Sequence, residues 1–158
     1  MQQRNAIIVG CGGVGTHLAY LLSKLNKEEL QTITLIDNDN IERKNLERQL
    51  FIEEQIGQNK AEALATILRQ TSPDKTYYAY NEKIENSEQL RNKIISTGTT
   101  TIFGCTDNKQ SKRIINETDG CSRILAGCDQ DMKNEKTKGK KENKEMKKEK
   151  KERQNERN

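Results

Sequence analysis

The 158-residue chain has one histidine, one proline and no pair of cysteines at a CxxC spacing. Its four cysteines, Cys11, Cys105, Cys121 and Cys128, are scattered, and His17 is far in sequence from the last two. That pattern argues against a zinc site, whose ligands come in closely spaced pairs. A disulfide framework belongs to secreted, loop-rich chains, whereas this one opens on an apolar strand and a glycine cluster. No apolar run approaches the ~20 residues of a transmembrane helix. MQQRN leads straight into the first apolar run, so no signal peptide is expected and the cytoplasm is the expected compartment.

Net charge is also missing from most of the chain. From Asp129 to Asn158 there are 12 Lys+Arg and 8 Asp+Glu; with 28 and 24 in the whole chain, residues 1–128 hold 16 of each sign. The basic excess is therefore confined to the end, and a pI near 8.8 does not point the rest towards nucleic acid. Met132 and Met146 are the only apolar side chains from residue 129 onwards. They are too few to offset the ordering entropy of that stretch. A Rossmann-like domain over residues 1–128 and a disordered, low-complexity Lys/Glu tail over 129–158 are expected. Such a tail would also suit acidic surfaces.

What is present is concentrated near the start. Ala6-Ile7-Ile8-Val9 reads as a buried parallel strand, and Gly10-Cys11-Gly12-Gly13-Val14-Gly15 follows it. Val14, Leu18, Leu21, Leu22 and Leu25 then recur at helical spacings. Strand, glycine turn and helix form the first unit of a nucleotide-binding fold. Glycines let the backbone turn sharply and approach a phosphate, and the helix directs free N–H groups and its positive dipole end at it.

Further units follow. A β-branched strand, 31–37, ends on Asp37, with Asp39 two residues on. A polar segment with Ile41, Leu46, Leu50 and Phe51 leads to a helix over 61–70, buried through Ala61, Leu64, Ala65 and Leu68, and Pro73 ends that region. Residues 76–80 read as an edge strand because their alternation is poor. Ser87 reads as a helix cap with Leu90, Ile94 and Ile95 behind it. Residues 99–105 form a fourth strand, Asp107 or Asn108 opens a helix through Ile114 and Ile115, and 123–126 is a short fifth strand. This alternation predicts an α/β fold: a Rossmann-like parallel sheet of about five strands with helices on both faces. The crossover rule sets all strand C-terminal ends along one edge. The glycine loop, Asp37/Asp39 and Cys105–Asn108 should therefore line one crevice.

Asp37, ending the strand after a glycine loop, suits a ribose, and alone would indicate an NAD-dependent oxidoreductase. Asn45, Arg48, Gln49 and Lys60 suit a more highly charged triphosphate, since Arg offers a planar fork and Lys a mobile point charge. Asp107 adds a carboxylate of the kind that holds Mg²⁺ together with phosphate oxygens. Each residue also has a plainer reading. The glycines make a structural turn, Arg48 and Lys60 are surface charges, Asp39 is a turn residue, Asp107 caps a helix, and His17 packs or faces solvent.

The succession GCGGVG, LIDNDNIERKNLERQLF, IGQNKAEA and FGCTDN resembles the ThiF/MoeB/HesA family, which includes the nucleotide-binding domain of ubiquitin-activating enzymes. The resemblance runs from Ala6 to about Asn116, and the DxD-x5-N-x2-RQ block is its most specific part. It implies ATP- and Mg²⁺-dependent adenylation of the C-terminal carboxylate of a ubiquitin-fold or sulfur-carrier protein, a transferase activity. By motif position Asp37 would bind the ribose, and Asn45, Arg48 and Lys60 the phosphates. Gly12 and Gly13, between Gly10 and Gly15, would lie beside the α-phosphate. Asp107, next to Asn108, would hold Mg²⁺ near the attacking carboxylate. Arg48, Lys60 and Asp107 would carry the chemistry, by positioning and charge neutralisation.

Two departures from the family bear on activity. Only MQQR precedes the first strand, where dimeric members have a helical segment that supplies an arginine to the partner's ATP. After the fifth strand the family's further strands, crossover loop and carrier platform are absent. A homodimer, a complementing subunit, or a truncated remnant of a broken reading frame are the expectations this raises. No cysteine is assigned a catalytic role: Cys121 and Cys128 have no neighbouring base, and Cys11 and Cys105 read as packing residues.

Overall fold

Five apolar, β-branched runs make the parallel strands β1 (Arg4–Val9), β2 (Thr32–Ile36), β3 (Thr76–Tyr80), β4 (Thr99–Gly104) and β5 (Ser122–Leu125). A computed structural model describes residues 3–126, within one unit that runs to Ala126. The expected boundary at residue 128, Cys128 and the expected disordered tail lie outside the described residues. The sheet order is β3-β2-β1-β4-β5, so β3 is an edge strand, as its weak alternation predicted. β2 is buried along its whole length and β1 from Asn5 onwards, because helices cover both faces. Ile7 lies between Thr34 on β2 and Ile102 on β4.

The helices are α1 (Gly13–Ser23), α2 (Lys60–Thr71), α3 (Ser87–Arg91) and α4 (Lys109–Glu117). α1 and α2 cover one face, where Ala19, Ala61, Leu64, Ala65 and Leu68 pack on Ile8, Ile33 and Leu35. α3 and α4 cover the other, through Leu90, Ile114 and Ile115 on Ile7, Ile36 and Ile102. Each fully buried Ile or Leu contributes roughly 1.5–3 kcal/mol. Among the described residues, no helix is long and apolar enough to cross a membrane.

Two local expectations change, and a third, left between Asp107 and Asn108, is decided. Most of the apolar stripe of α1 does not face the core: Val14 and Leu21 are 58% and 66% exposed and Leu25 lies beyond the helix, while Leu22 is partly buried against it. Gly15, Thr16, Ala19 and Ser23 are buried instead. The reason is close approach, since a Cβ on Gly15 would sit 1.8 Å from the Gly10 carbonyl oxygen. α3 is capped by Asn86 rather than Ser87, with Gln89 completing a capping box, and Ile94 and Ile95 lie past its end. Asn108, not Asp107, caps α4, accepting the Ser111 N–H at 3.0 Å.

Candidate functional site

A cleft of about 570 Å³ opens along the C-terminal edge of the sheet. It lies beyond the paired ends of β1 and β4, the point at which the winding reverses and parallel sheets bind ligands. The three polar clusters expected at one crevice meet there: Gly10, Gly12 and Gly13; Asp37 and Asp39; and Cys105 to Asn108.

The glycine loop leaves β1 through Gly10, whose φ of +97° favours glycine and whose missing Cβ would lie 2.8 Å from the Cys105 carbonyl oxygen. α1 then begins at Gly13 with no side chain capping it and no acidic residue in its first turn. Its positive end faces the cleft with no capping side chain of its own. Gly12 and Gly13 line the cleft, with neighbours no nearer than 3.5 Å to a built Cβ. Gly15 lies outside the lining, in the contact between helix and loop.

β2 delivers the acids. Asp37 Oδ2 accepts the Cys11 N–H at 2.6 Å, and its Oδ1 accepts the Asp39 N–H at 2.8 Å. Burial lifts its carboxyl above the ordinary 3.8; the N–H groups of Asp39 and Cys11 pull it down without cancelling that effect. Asp39 is more exposed and pairs with Lys60, Nζ to Oδ2 at 3.2 Å. Lys60 is the first residue of α2 and its side chain is only 9% exposed, so it is not an ordinary surface charge.

Two short 3₁₀ turns, Arg43–Asn45 and Glu53–Gln55, carry the segment between β2 and α2 past the cleft. Exposed Arg48 and half-buried Gln49 line the cleft from this segment. The Gln49 Oε1 is buried and accepts no hydrogen bond among the described residues. Asn45 does not line the cleft: it is buried, and its Oδ1 accepts the Glu42 N–H at 2.8 Å. On the opposite wall Asp107 is exposed and makes no hydrogen bond or ion pair with any described residue. His17 is exposed, with Nδ1 2.7 Å from the Gly13 carbonyl oxygen.

Burial raises all three described thiols, Cys105 to about 11, so none supplies a thiolate near neutral pH. No group of three or more His, Cys, Asp or Glu side chains is arranged to hold a metal among the described residues. A metal at Asp107 would need its other ligands from a bound phosphate and water, which is the habit of Mg²⁺.

The wall missed from the sequence is Glu82, Lys83 and Ile84, directly after β3. Since β3 is parallel to β2, its C-terminal end had to reach the same edge. Glu82 is fixed by Lys93 at 2.9 Å, whose Nζ lies 4.1 Å from the centre of the Tyr80 ring. Ile84, Val9 and Ile36 give the cleft its apolar part.

Known proteins resemble this chain in sequence and fold. Ubiquitin-like modifier-activating enzyme 5 of Bombyx mori is 30% identical over 124 residues, covering 73% of this chain and 31% of that protein. The enzyme of the same name from Dictyostelium discoideum is 30% identical over 122 residues, covering 72% and 31%. The chain thus spans about a third of the length of these relatives. The structure of Escherichia coli MccB with ATP matches 78% of this chain and 37% of MccB, at 27% identity and a TM-score of 0.62. E. coli tRNA N6-threonylcarbamoyladenosine dehydratase, TcdA, in complex with ATP, shares the fold over 78% of this chain and 51% of its own, at 22% identity and a TM-score of 0.64. A model of the ThiF family matches residues 1–123, which hold β1 to β4, every helix, the start of β5 and every cleft residue described above, and the chain belongs to that family.

Proposed function

We propose that the cleft binds ATP and activates a C-terminal carboxylate by adenylation, the carboxylate belonging to a ubiquitin-fold carrier or a peptide. The observation that carries this reading is the meeting of four cationic or dipolar elements on one cleft: the uncapped start of α1, Arg48, Lys60 and the glycine-loop backbone. Backbone N–H groups at a helix start, a guanidinium and an ammonium are the donors that bind phosphate oxygens. Membership of the family and the ATP bound in MccB support it.

In this reading Gly12 and Gly13 leave room for the α-phosphate, and Arg48 and Lys60 neutralise the outer phosphates. Asp37 receives the ribose through the lone pairs left beside its two amide partners, and Ile84 and Ile36 offer apolar area to the base. Asp107 is the carboxylate that would hold Mg²⁺, because Asp37 is occupied by backbone amides and Asp39 by Lys60. Mg²⁺ supplies charge neutralisation on the phosphates when bound. The carboxylate attacks the α-phosphorus in line, pyrophosphate leaves, and no protein nucleophile takes part. The reaction is assigned to the cytoplasm.

Carrier-dependent ATP–pyrophosphate exchange tests this, and Arg48→Ala or Asp107→Ala is expected to lower it by about 10²-fold or more. Exchange that survives both substitutions refutes the site. Because the chain spans about a third of its curated relatives, carrier docking is the part of the reading most dependent on further polypeptide, from a second copy or a complementing subunit. ATP binding with no exchange for any carrier favours a nucleotide-binding subunit or a truncated remnant. Preference for NAD over ATP returns the site to an oxidoreductase.

A further inference from the structure

The cleft's acids and its buried lysine come from different elements, and one side chain joins them. Asn59 is 5% exposed and directly precedes α2. Its Oδ1 accepts the Glu62 N–H at 3.1 Å, an ordinary helix cap. Its Nδ2 donates to the backbone carbonyl oxygens of Asp37, at 2.9 Å, and Asp39, at 3.1 Å. Both amide hydrogens and one carbonyl lone pair are thus in use, which is nearly all the group can offer when buried.

Capping alone does not require asparagine. Serine, threonine or aspartate serves as well at that position, but none carries two N–H donors. Both donors go to residues whose carboxylates line the cleft. The backbone around them runs parallel to this link: Lys60 N–H donates to Asp39 O at 2.9 Å, Ile41 N–H to Gln58 O at 2.8 Å, and Gly57 N–H to Ile41 O at 2.8 Å. Asn40 and Asn59 form an antiparallel bridge in the same ribbon. The end of β2 is thereby tied to the start of α2, and the Lys60 side chain returns to Asp39 across the tie.

We infer that Asn59 is a positioning residue that fixes Asp37, Asp39 and Lys60 relative to one another through its two amide N–H donors. It touches no phosphate itself and does not line the cleft. Its effect on a ligand is exerted through the groups it holds, and rests on the nucleotide reading above. Without the clamp on the Asp39 backbone, the Asp39 carboxylate and the Lys60 ammonium lose their common reference. A preorganised pair of opposite charges then becomes one that must be ordered on binding.

Asn59→Ser and Asn59→Asp separate clamp from cap, since each keeps an oxygen for Glu62 N–H and neither has the amide NH₂. The first measurement needs no ligand: amide hydrogen exchange by NMR. Asn59→Ser is expected to speed exchange at Lys60 and Asp39 by roughly tenfold, the size of one net hydrogen bond. Ile8 and Leu35 amides in the core are expected to keep wild-type rates, and the melting temperature to stay within a few degrees. The second is ATP affinity by calorimetry, expected to fall roughly tenfold in Asn59→Ser. It should fall further in Asn59→Asp, which brings a carboxylate against two carbonyl oxygens. Wild-type exchange at Lys60 and Asp39 in Asn59→Ser overturns the inference, as does acceleration spread evenly over core and cleft, which marks a cap alone. If the wild type binds no ATP, the nucleotide reading fails, and exchange at Lys60 and Asp39 still decides the clamp.

Discussion

The Oδ2 oxygen of Asp37 accepts the backbone N–H of Cys11 at 2.6 Å, so the carboxylate that ends β2 braces the glycine loop that follows β1. With Oδ1 taking the Asp39 N–H, one side chain holds two loops of the cleft in register. Asp37→Asn sets an NH₂ group against one of those donors. It is expected to cost about 1–3 kcal/mol in ATP affinity, because a buried donor loses its charged acceptor. Calorimetry with ATP checks this.

The same carboxylate gives a pH dependence whose sign can be worked out. Burial raises it above 3.8, so the folded protein binds this proton more tightly than the unfolded chain. Stability from this group therefore falls as pH rises from 3.8 through the raised value, and below 3.8 both states are protonated. Relative to Asp37→Asn, the wild type should gain stability as the solution is acidified from neutrality towards pH ~4. Paired thermal melts measure it, and a difference that moves the other way contradicts the assignment.

The glycines should divide into two kinds. A Cβ on Gly15 meets the Gly10 carbonyl oxygen at 1.8 Å, whereas one on Gly13 finds its nearest neighbour at 3.5 Å and one on Gly12 at 4.0 Å. Gly15→Ala must displace α1 from the loop and is expected to destabilise by about 3 kcal/mol or more. Gly12→Ala and Gly13→Ala should fold and lose nucleotide affinity, because the added methyl groups enter the cleft. Thermal melts and ATP titration of the three variants separate the effects.

Cys105 lines the cleft, and burial pushes its thiol up to about 11. Alkylation by iodoacetamide at pH ~7.5 should be on the order of 10²-fold slower than for an exposed thiol. It should rise about tenfold per pH unit well into the alkaline range. Mass spectrometry of the modified peptide gives the rate. Fast labelling near neutrality would reopen the question of a cysteine acceptor.

The sheet and the main contents of the cleft were legible because they depend on local signals. Apolar runs mark strands, glycines mark the loop, and strand ends in a parallel sheet share an edge, which brought the glycine loop, Asp37 and Asp107 to one cleft; Arg48 and Lys60, which follow no strand end, stood out through their charge and their place in the motif. Glu82–Ile84 obeys the same rule but follows a strand whose alternation is weak, so its end carried less signal. Asn59 was hidden for another reason: as a helix cap it reads like any other, and only the positions of Asp37 and Asp39 reveal its donors. Asn45 stands in the most specific motif, yet its place in the fold is beside Glu42 and away from the cleft lining.

The α1 stripe shows how periodicity can identify a helix and mislead about its orientation. Val14, Leu18, Leu21, Leu22 and Leu25 have helical spacing, but so do Gly15, Ala19 and Ser23, and the second set is the buried one, with Leu22 partly buried beside it. The backbone approach at Gly10 and Gly15 leaves no depth for a side chain at the start of that face. Ala19→Leu is therefore expected to overpack the interface with α2 and cost about 1–3 kcal/mol. Leu21→Lys, at a position 66% exposed, should change stability by no more than about 0.5 kcal/mol. Urea unfolding of the two variants checks the orientation directly, since a helix packed through its leucines would reverse the order of the two costs.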